Sequence, residues 1–311
     1  MSRVLNVADA PPWRSPKGLP DRLAQARRTL TMGILNVTPD SFSDGGEHHT
    51  HDAAVAHARS MAADGADIVD VGGESTRPGG ERVSEAEELR RVIPVVRSLA
   101  ADGIVISVDT MRAEVASQAV QAGALIINDV SGGLADQDML RAAADARTAL
   151  AAPPVFAAMH WRGHSDVMND LTEYTDVAQD VVAELNAQVE AALTAGVDRE
   201  HLVLDPGFGF SKKGAQNWEL LERIGELEAV GLPLLIGLSR KRFVTALDVD
   251  RDVATATLSA ISAARHHWAV RVHDVAATVA AMRVIQRLHA GVDGTAIGLG
   301  DHSADSAYPR S

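Results

Sequence analysis

Asn36, two carboxylates (Asp40, Asp44), three hydroxyls (Thr38, Ser41, Ser43) and Phe42 fall within eleven residues that close on Gly45-Gly46. The apolar run Leu30–Leu35 leads into them and reads as a buried strand. The segment is therefore a polar, glycine-ended loop at the C-terminal end of a strand, where parallel α/β proteins bind ligands. Alone it would read equally well as a surface loop. The same arrangement recurs along the chain: apolar runs end at Gly72–Gly79, Asp109-Thr110, Asn128-Asp129, Met159-His160, Asp205–Phe210, Ser239-Arg240-Lys241 and Arg271-Val272-His273. A single Asp at a strand end is often a helix N-cap, and Asp109 or Asp129 taken singly could be that. A polar group at nearly every strand end makes a site.

These groups sort by chemistry. Asp109, Asn128 and Asp205 are acceptors on the middle strands, suited to a planar heterocycle that presents N–H groups; a buried carboxylate can take two parallel hydrogen bonds from an amidine-like edge. Arg77, Lys241, Arg271 and His273 are cations. Arg271 and His273 are two apart on a strand and share a face, which fits a phosphate or diphosphate. Met159, Phe208 and Phe210 can pack against a flat ring.

The elements that must carry these residues alternate regularly. Eight short apolar runs (30–35, 67–71, 104–108, 124–127, 155–159, 202–204, 234–238 and 269–272) are separated by amphipathic segments at 53–63, 84–100, 112–122, 137–146, 176–195, 217–229, 253–265 and 275–290. Ser84 and Glu87 form a capping box at the start of one helix. Gly65, Gly103, Gly123, Gly196 and Gly231 stand where helices should stop before the next strand. Eight βα units of about 30 residues predict an α/β fold, the (β/α)8 TIM barrel. The runner-up is an open doubly wound sheet. Residues 1–28 and 291–311 read as tails, at least partly disordered, flanking a barrel over 29–290.

Composition agrees. Apolar residues make up 46% of the 311 and aromatics only 4%, which suits helices on a parallel sheet. The net charge of −13 argues against nucleic acid or an anionic membrane as partner, though local cations can still hold an anionic small molecule. The chain has no cysteine, which excludes disulfides, thiolate catalysis and Cys-based zinc sites. No apolar run reaches spanning length, and a cytoplasmic protein is expected. Gly237-Leu-Ser239-Arg-Lys241 lacks the last Gly of a nucleophile elbow, and Gly72–Gly80 lacks the Gly-Lys-Ser/Thr ending of a phosphate loop. His48, His49 and His51 have no spaced metal-ligating partners, and His266-His267 reads as surface or helix-end packing.

Met32–Gly46 and Gly72–Gly79 resemble the two signature loops of the dihydropteroate synthase family. Asp205–Phe210, Ser239–Lys241 and Arg271–Asp274 are similar to its later motifs, in order. The likeness spans residues 29–290 and implies a (β/α)8 barrel that joins a dihydropterin methyl diphosphate to 4-aminobenzoate. It implies that Asn36 contacts Mg²⁺, with Asp40 and Asp44 helping their loop close near it. Asp109, Asn128, Asp205 and Lys241 would hold the pterin, with Met159 and Phe210 packed nearby. Thr76, Arg271 and His273 would bind the diphosphate. Phe42, Pro78 and Ser239, with Arg77 close by, would shape the aminobenzoate pocket. Lys241, Asp109, Arg271 and His273 form the expected catalytic set. Ser211-Lys212-Lys213 departs from the family's Gly-Lys-Thr-like stretch and leaves the role of Lys212 open. A homodimer is implied as well. A pterin-dependent methyltransferase shares the barrel and the acceptor set but has no need of Arg271 and His273. A non-catalytic paralogue should have lost some of these residues.

Overall fold

A computed structural model describes residues 10–38, 46–74, 83–164 and 167–292, without the side chains of 46–50 and 290–292. Eight parallel strands follow the inferred runs: β1 (Leu30–Asn36), β2 (Ile68–Gly72), β3 (Ile106–Asp109), β4 (Ile126–Asp129), β5 (Val155–Met159), β6 (Leu202–Asp205), β7 (Leu235–Ile236) and β8 (Ala269–Val272). Hydrogen-bonded neighbours run β6-β5-β4-β3-β2-β1-β8-β7. A parallel bridge between Leu204 and Leu234 joins the two ends, so the sheet closes into a barrel.

The helices are α1 (Asp21–Ala24), α2 (Gly46–Ala63), α3 (Glu85–Ala101), α4 (Ala113–Ala122), α5 (Met139–Asp145), α6 (Val177–Ala195), α7 (Gly214–Glu222), α8 (Gly225–Glu228), α9 (Arg242–Thr245), α10 (Arg251–Ala264) and α11 (Val275–Val292). Ser84 Oγ accepts from the Glu87 N–H at 3.2 Å and starts α3 as expected, while the Glu87 carboxylate pairs with Arg90 and Arg91. Gly123 and Gly196 end α4 and α6 at positive φ. The segment expected as one helix at 217–229 breaks into α7 and α8. Asp250 starts α10 two residues before the inferred boundary, its side chain accepting from the N–H groups of Asp252 and Val253.

Strand periodicity divides the core in two. Leu30, Met32, Ile68, Ile126, Val155, Val203, Leu235 and Ala269 point inward and fill the N-terminal half of the barrel. Their outward neighbours, among them Val69, Ile106, Phe156, Leu204 and Val270, meet the helices.

Residues 10–28 differ from the disordered tail expected of them. Leu19 and Leu23 are buried against the inward cluster and close the barrel's N-terminal end. Burying two leucines contributes roughly 3–6 kcal/mol toward holding this segment. Trp13 stacks on His266 at 4.0 Å, and His266 Nδ1 lies 2.8 Å from the Pro11 carbonyl oxygen. Beneath them Glu228 pairs with Arg265 and with His267 at 3.0 Å. Helix α11 runs to Val292; the rest of the expected C-terminal tail lies outside the described residues.

Candidate active site

Each strand that points apolar residues into the lower barrel continues, two residues at a time, to polar residues at its C-terminal end. Register puts Ile34 beside Asp70, Asn36 beside Gly72, Gly72 beside Asp109, Asp109 beside Asn128 and Met159 beside Asp205. Strand alternation thus brings Asn36, Asp70, Asp109, Asn128, Met159, Asp205 and Arg271 to the same interior end.

Arg271 organises one side. Its Nε donates to Asp70 Oδ2 at 2.6 Å and its Nη2 to Asp109 Oδ2 at 2.6 Å. Asn128 Nδ2 donates to the same Asp70 oxygen at 3.0 Å. Burial raises the Asp109 pKa to about 7; Arg271 pulls it back, while Asp70 adds repulsion. Burial also works against the Arg271 charge, but Asp70 and Asp109 outweigh it and hold the guanidinium firmly protonated. The pair is therefore a charged arginine shared by two carboxylates.

The other side is built on the turn after β6. Asp205 Oδ1 accepts from the Gly207 N–H at 2.7 Å. Burial raises the Asp205 pKa, opposed by this hydrogen bond and by Lys241. Lys241 Nζ stands 4.0 Å above the Phe210 ring, a cation–π contact, and burial pushes it down to about 8. Arg240, at φ +57°, turns away to pair with Asp252 at 2.9 Å, which lets the adjacent Lys241 face inward. At the end of β8 the His273 N–H donates to Ser239 Oγ at 3.2 Å, and that hydroxyl lies 2.9 Å from His273 Nδ1. Ser239 thus fixes the orientation of the His273 ring.

The expected residues Asp109, Asn128, Met159, Asp205, Phe210, Ser239, Lys241, Arg271, His273 and Asn36 all occupy this end of the barrel. Phe208 does not join them: it is buried with Phe243 in the outer core, ring centroids 6.3 Å apart, so its assignment to a ring-packing role is corrected. Phe42, Asp40, Asp44, Thr76, Arg77 and Pro78 lie outside the described residues. Asp129 faces away from the interior and ties its own loop, accepting from Ser131 and Gly133.

Three parts escaped sequence reasoning. Asp70 sits between Val69 and Val71, inside an apolar run rather than at its end; its inward parity was the available signal. Glu88 of α3 accepts from Thr110 Oγ1 at 2.6 Å and pairs with Arg112, which also reaches Glu74 at 2.9 Å. No local pattern announces that link. Lys212, whose role was open, is buried and donates to His160 Nδ1 at 2.9 Å and to the carbonyls of Gly207 (3.0 Å) and Phe210 (3.2 Å). Burial pushes Lys212 down to about 7. His160, lowered by burial and by Lys212 to about 4, meets Glu184 through Nε2 at 2.9 Å.

Over residues 32–273 the chain matches the family of pterin binding enzymes. It is 49% identical over 272 residues to the dihydropteroate synthase of Mycobacterium leprae, covering 84% of this chain and 94% of the relative. The chain belongs to the dihydropteroate synthase family. A solved dihydropteroate synthase of Xanthomonas albilineans with 4-aminobenzoic acid superposes at a TM-score of 0.77 with 45% identity, over 85% of this chain and 94% of the other. One from the same organism in complex with 7,8-dihydropteroate gives 0.74 and 42% over the same shares. Dihydropteroate synthases are transferases on a (β/α)8 barrel, and the strands and helices described above form that barrel. Among the described residues no helix is long and apolar enough to cross a membrane.

Proposed function

We propose that this chain transfers the methylene carbon of 7,8-dihydropterin-6-ylmethyl diphosphate to the amino nitrogen of 4-aminobenzoate. The carbon–oxygen bond to diphosphate breaks, a carbon–nitrogen bond forms, and the arylamine loses one proton to solvent. The products are 7,8-dihydropteroate and diphosphate. The observation that carries this reading is the convergence of Asp109, Asn128 and Asp205 with Lys241 and Arg271 at one end of a closed barrel. Two carboxylates and an amide accept from ring N–H groups, Lys241 donates to a ring acceptor, and Met159 and Phe210 flank the plane. A site built on such fixed partners rejects rings that lack the matching groups.

The arylamine is uncharged at neutral pH and needs no strong base. The difficult event is departure of diphosphate. The Arg271 cation, and a ring N–H of His273 oriented by Ser239, meet the growing negative charge, and motif likeness adds Thr76. Asp109 sits where it favours positive charge spreading into the pterin, so a dissociative, SN1-like substitution is the reading these groups support. Phe42, Pro78, Arg77 and Ser239 are assigned to the aminobenzoate pocket on motif likeness.

Mg²⁺ fits this donor set. Asn36 ends β1 with a half-buried side chain and a neutral hard oxygen, and among the described residues no group of three His or carboxylate side chains could hold a cation unaided. Mg²⁺ carried chiefly by substrate phosphates needs few protein ligands, and it would neutralise charge on the leaving group.

The test is diphosphate release by the purified protein. Release with both substrates and none with either alone is expected; release without 4-aminobenzoate, or none at all, refutes the assignment. For the homodimer, the face between α10 and α11 is the one we assign, since Val253 and Val284 are more than 60% exposed there. Light scattering should give twice the chain mass, and Val284→Lys should halve it.

A further inference from the structure

We infer that Asp70 is a positioning residue for the pterin site: it dictates which atom Asn128 presents to the ring and where the Arg271 guanidinium stands. This rests on the pterin reading above and deepens it.

One oxygen joins the two residues. Asp70 Oδ2 accepts from Asn128 Nδ2 at 3.0 Å and from Arg271 Nε at 2.6 Å, and the residue is fully buried. An amide can sit either way round in its pocket, and the groups around it decide which. A carboxylate paired with a guanidinium only accepts, so Asn128 must turn its NH2 toward Asp70. Its oxygen then points away from Asp70. Asn128 therefore offers the ring an acceptor, in line with the carboxylates of Asp109 and Asp205. Without Asp70 nothing in the described surroundings enforces that choice, and the amide would offer a donor to a ring edge that itself donates.

The same oxygen holds Arg271. With Nε on Asp70 and Nη2 on Asp109, the planar cation is fixed by two separate strands, β2 and β3. Residue 70 lies one inward step below Gly72, where a Cβ would meet the Asp109 side chain at 3.4–3.7 Å. Asp70 thus works from underneath the pocket, through Asn128 and Arg271, and does not line it.

The test uses the full-length protein and 6-hydroxymethylpterin, which carries the ring without diphosphate. Asp70→Asn should weaken its binding at least tenfold in calorimetry while the protein stays folded. The discriminating measurement is the same substitution in an Asn128→Ala background, where the added loss should fall to about threefold, because the amide it orients is gone and only its hold on Arg271 remains to be lost. A second variant, Asp70→Asn with Asn128→Asp, exchanges donor and acceptor across the pair at unchanged net charge. It should recover most of the lost affinity, and it serves in place of the single substitution should that fail to fold. Equal losses from Asp70→Asn with and without Asn128, or no recovery in the exchanged pair, overturn the inference. If unaltered protein does not bind the pterin, it is the functional reading that fails.

Discussion

Gly207→Ala tests whether the turn after β6 couples the fold to the pterin site. Gly207 adopts φ +66°, and a Cβ placed there would lie 2.3 Å from the His160 carbonyl oxygen. That oxygen cannot easily retreat, because the neighbouring His160 N–H is bonded to the Asp205 carbonyl at 2.9 Å. Left-handed backbone costs an L-residue ~1–2 kcal/mol. Overpacking against fixed backbone adds ~1–3 kcal/mol, giving roughly 2–5 kcal/mol in all. For a domain of this size that lowers Tm by about 4–10 °C. The shift also moves the Gly207 N–H off Asp205 Oδ1, where it stands at 2.7 Å. A misplaced hydrogen bond to a charged group is worth ~1.5–3 kcal/mol, so bare-pterin binding should weaken about tenfold or more. Gly103→Ala is the control: φ is +75°, but a Cβ there meets nothing within 4 Å. It should show only the backbone cost of ~1–2 kcal/mol and normal pterin affinity. Calorimetric unfolding and titration with the pterin read both effects. If Gly207→Ala keeps its affinity, or the two variants behave alike, the turn does not set Asp205 as argued.

Arg271→Lys should lower kcat at saturating substrates by ~100-fold, because a planar donor to the leaving group is lost. It should also weaken bare-pterin binding, since Arg271 holds Asp70 and Asp109; single-turnover kinetics beside calorimetry separate the two effects. Lys241, lowered to about 8 by burial, binds fewer protons folded than unfolded between about pH 8 and its ordinary 10.5. Stability should therefore rise with pH across that window, the buried-charge cost being complete below it, and Lys241→Met should flatten the slope in urea titrations run at several pH values. Glu228→Gln at the opposite end of the barrel leaves Arg265 buried without its carboxylate and should cost ~3–5 kcal/mol of stability. Pterin affinity should not change, and any parallel loss of affinity would show that the two ends are coupled.

The barrel was legible because its evidence repeats: eight apolar runs, each closed by a polar turn, need no tertiary knowledge to be seen. Strand-end residues such as Asp109, Asn128 and Asp205 were legible for the same reason. Asp70 was not, because it lies inside an apolar run and only its parity with Ile68 and Gly72 marks it as inward. Phe208 was misread because two aromatics in Gly-Phe-Gly-Phe look alike in sequence, while the left-handed glycines 207 and 209 send one into the helical layer and leave the other beneath Lys241. Residues 10–28 looked like a tail since four prolines and scattered charges hide Leu19 and Leu23, whose role appears only against the open end of a barrel. The His160–Lys212 contact spans 52 residues, and no local signal encodes it.

The inner site carries three carboxylates, Asp70, Asp109 and Asp205, and three cations, Arg271, Lys241 and Lys212, so its formal charge balances despite the chain's −13. An uncharged pterin ring can enter such a pocket without opposing a net field. Balance ends when the carbon–oxygen bond stretches: the ring gains positive charge as the diphosphate gains negative charge. In the proposed roles Asp109 would face the first and Arg271 the second, and the two side chains are already bonded to each other at 2.6 Å. Unit charges about 4 Å apart interact by ~4 kcal/mol at an effective dielectric of 20, on the order of a thousandfold in rate for each well-placed contact. That gain depends on neither group having to move when the charge appears. Asp70 supplies the immobility, since its one oxygen ties Arg271 to β2 while Asp109 is held on β3. The pairing that balances the pocket at rest is therefore the same pairing that separates charge along the reaction, and removing either carboxylate should slow the chemical step more than it weakens ground-state binding.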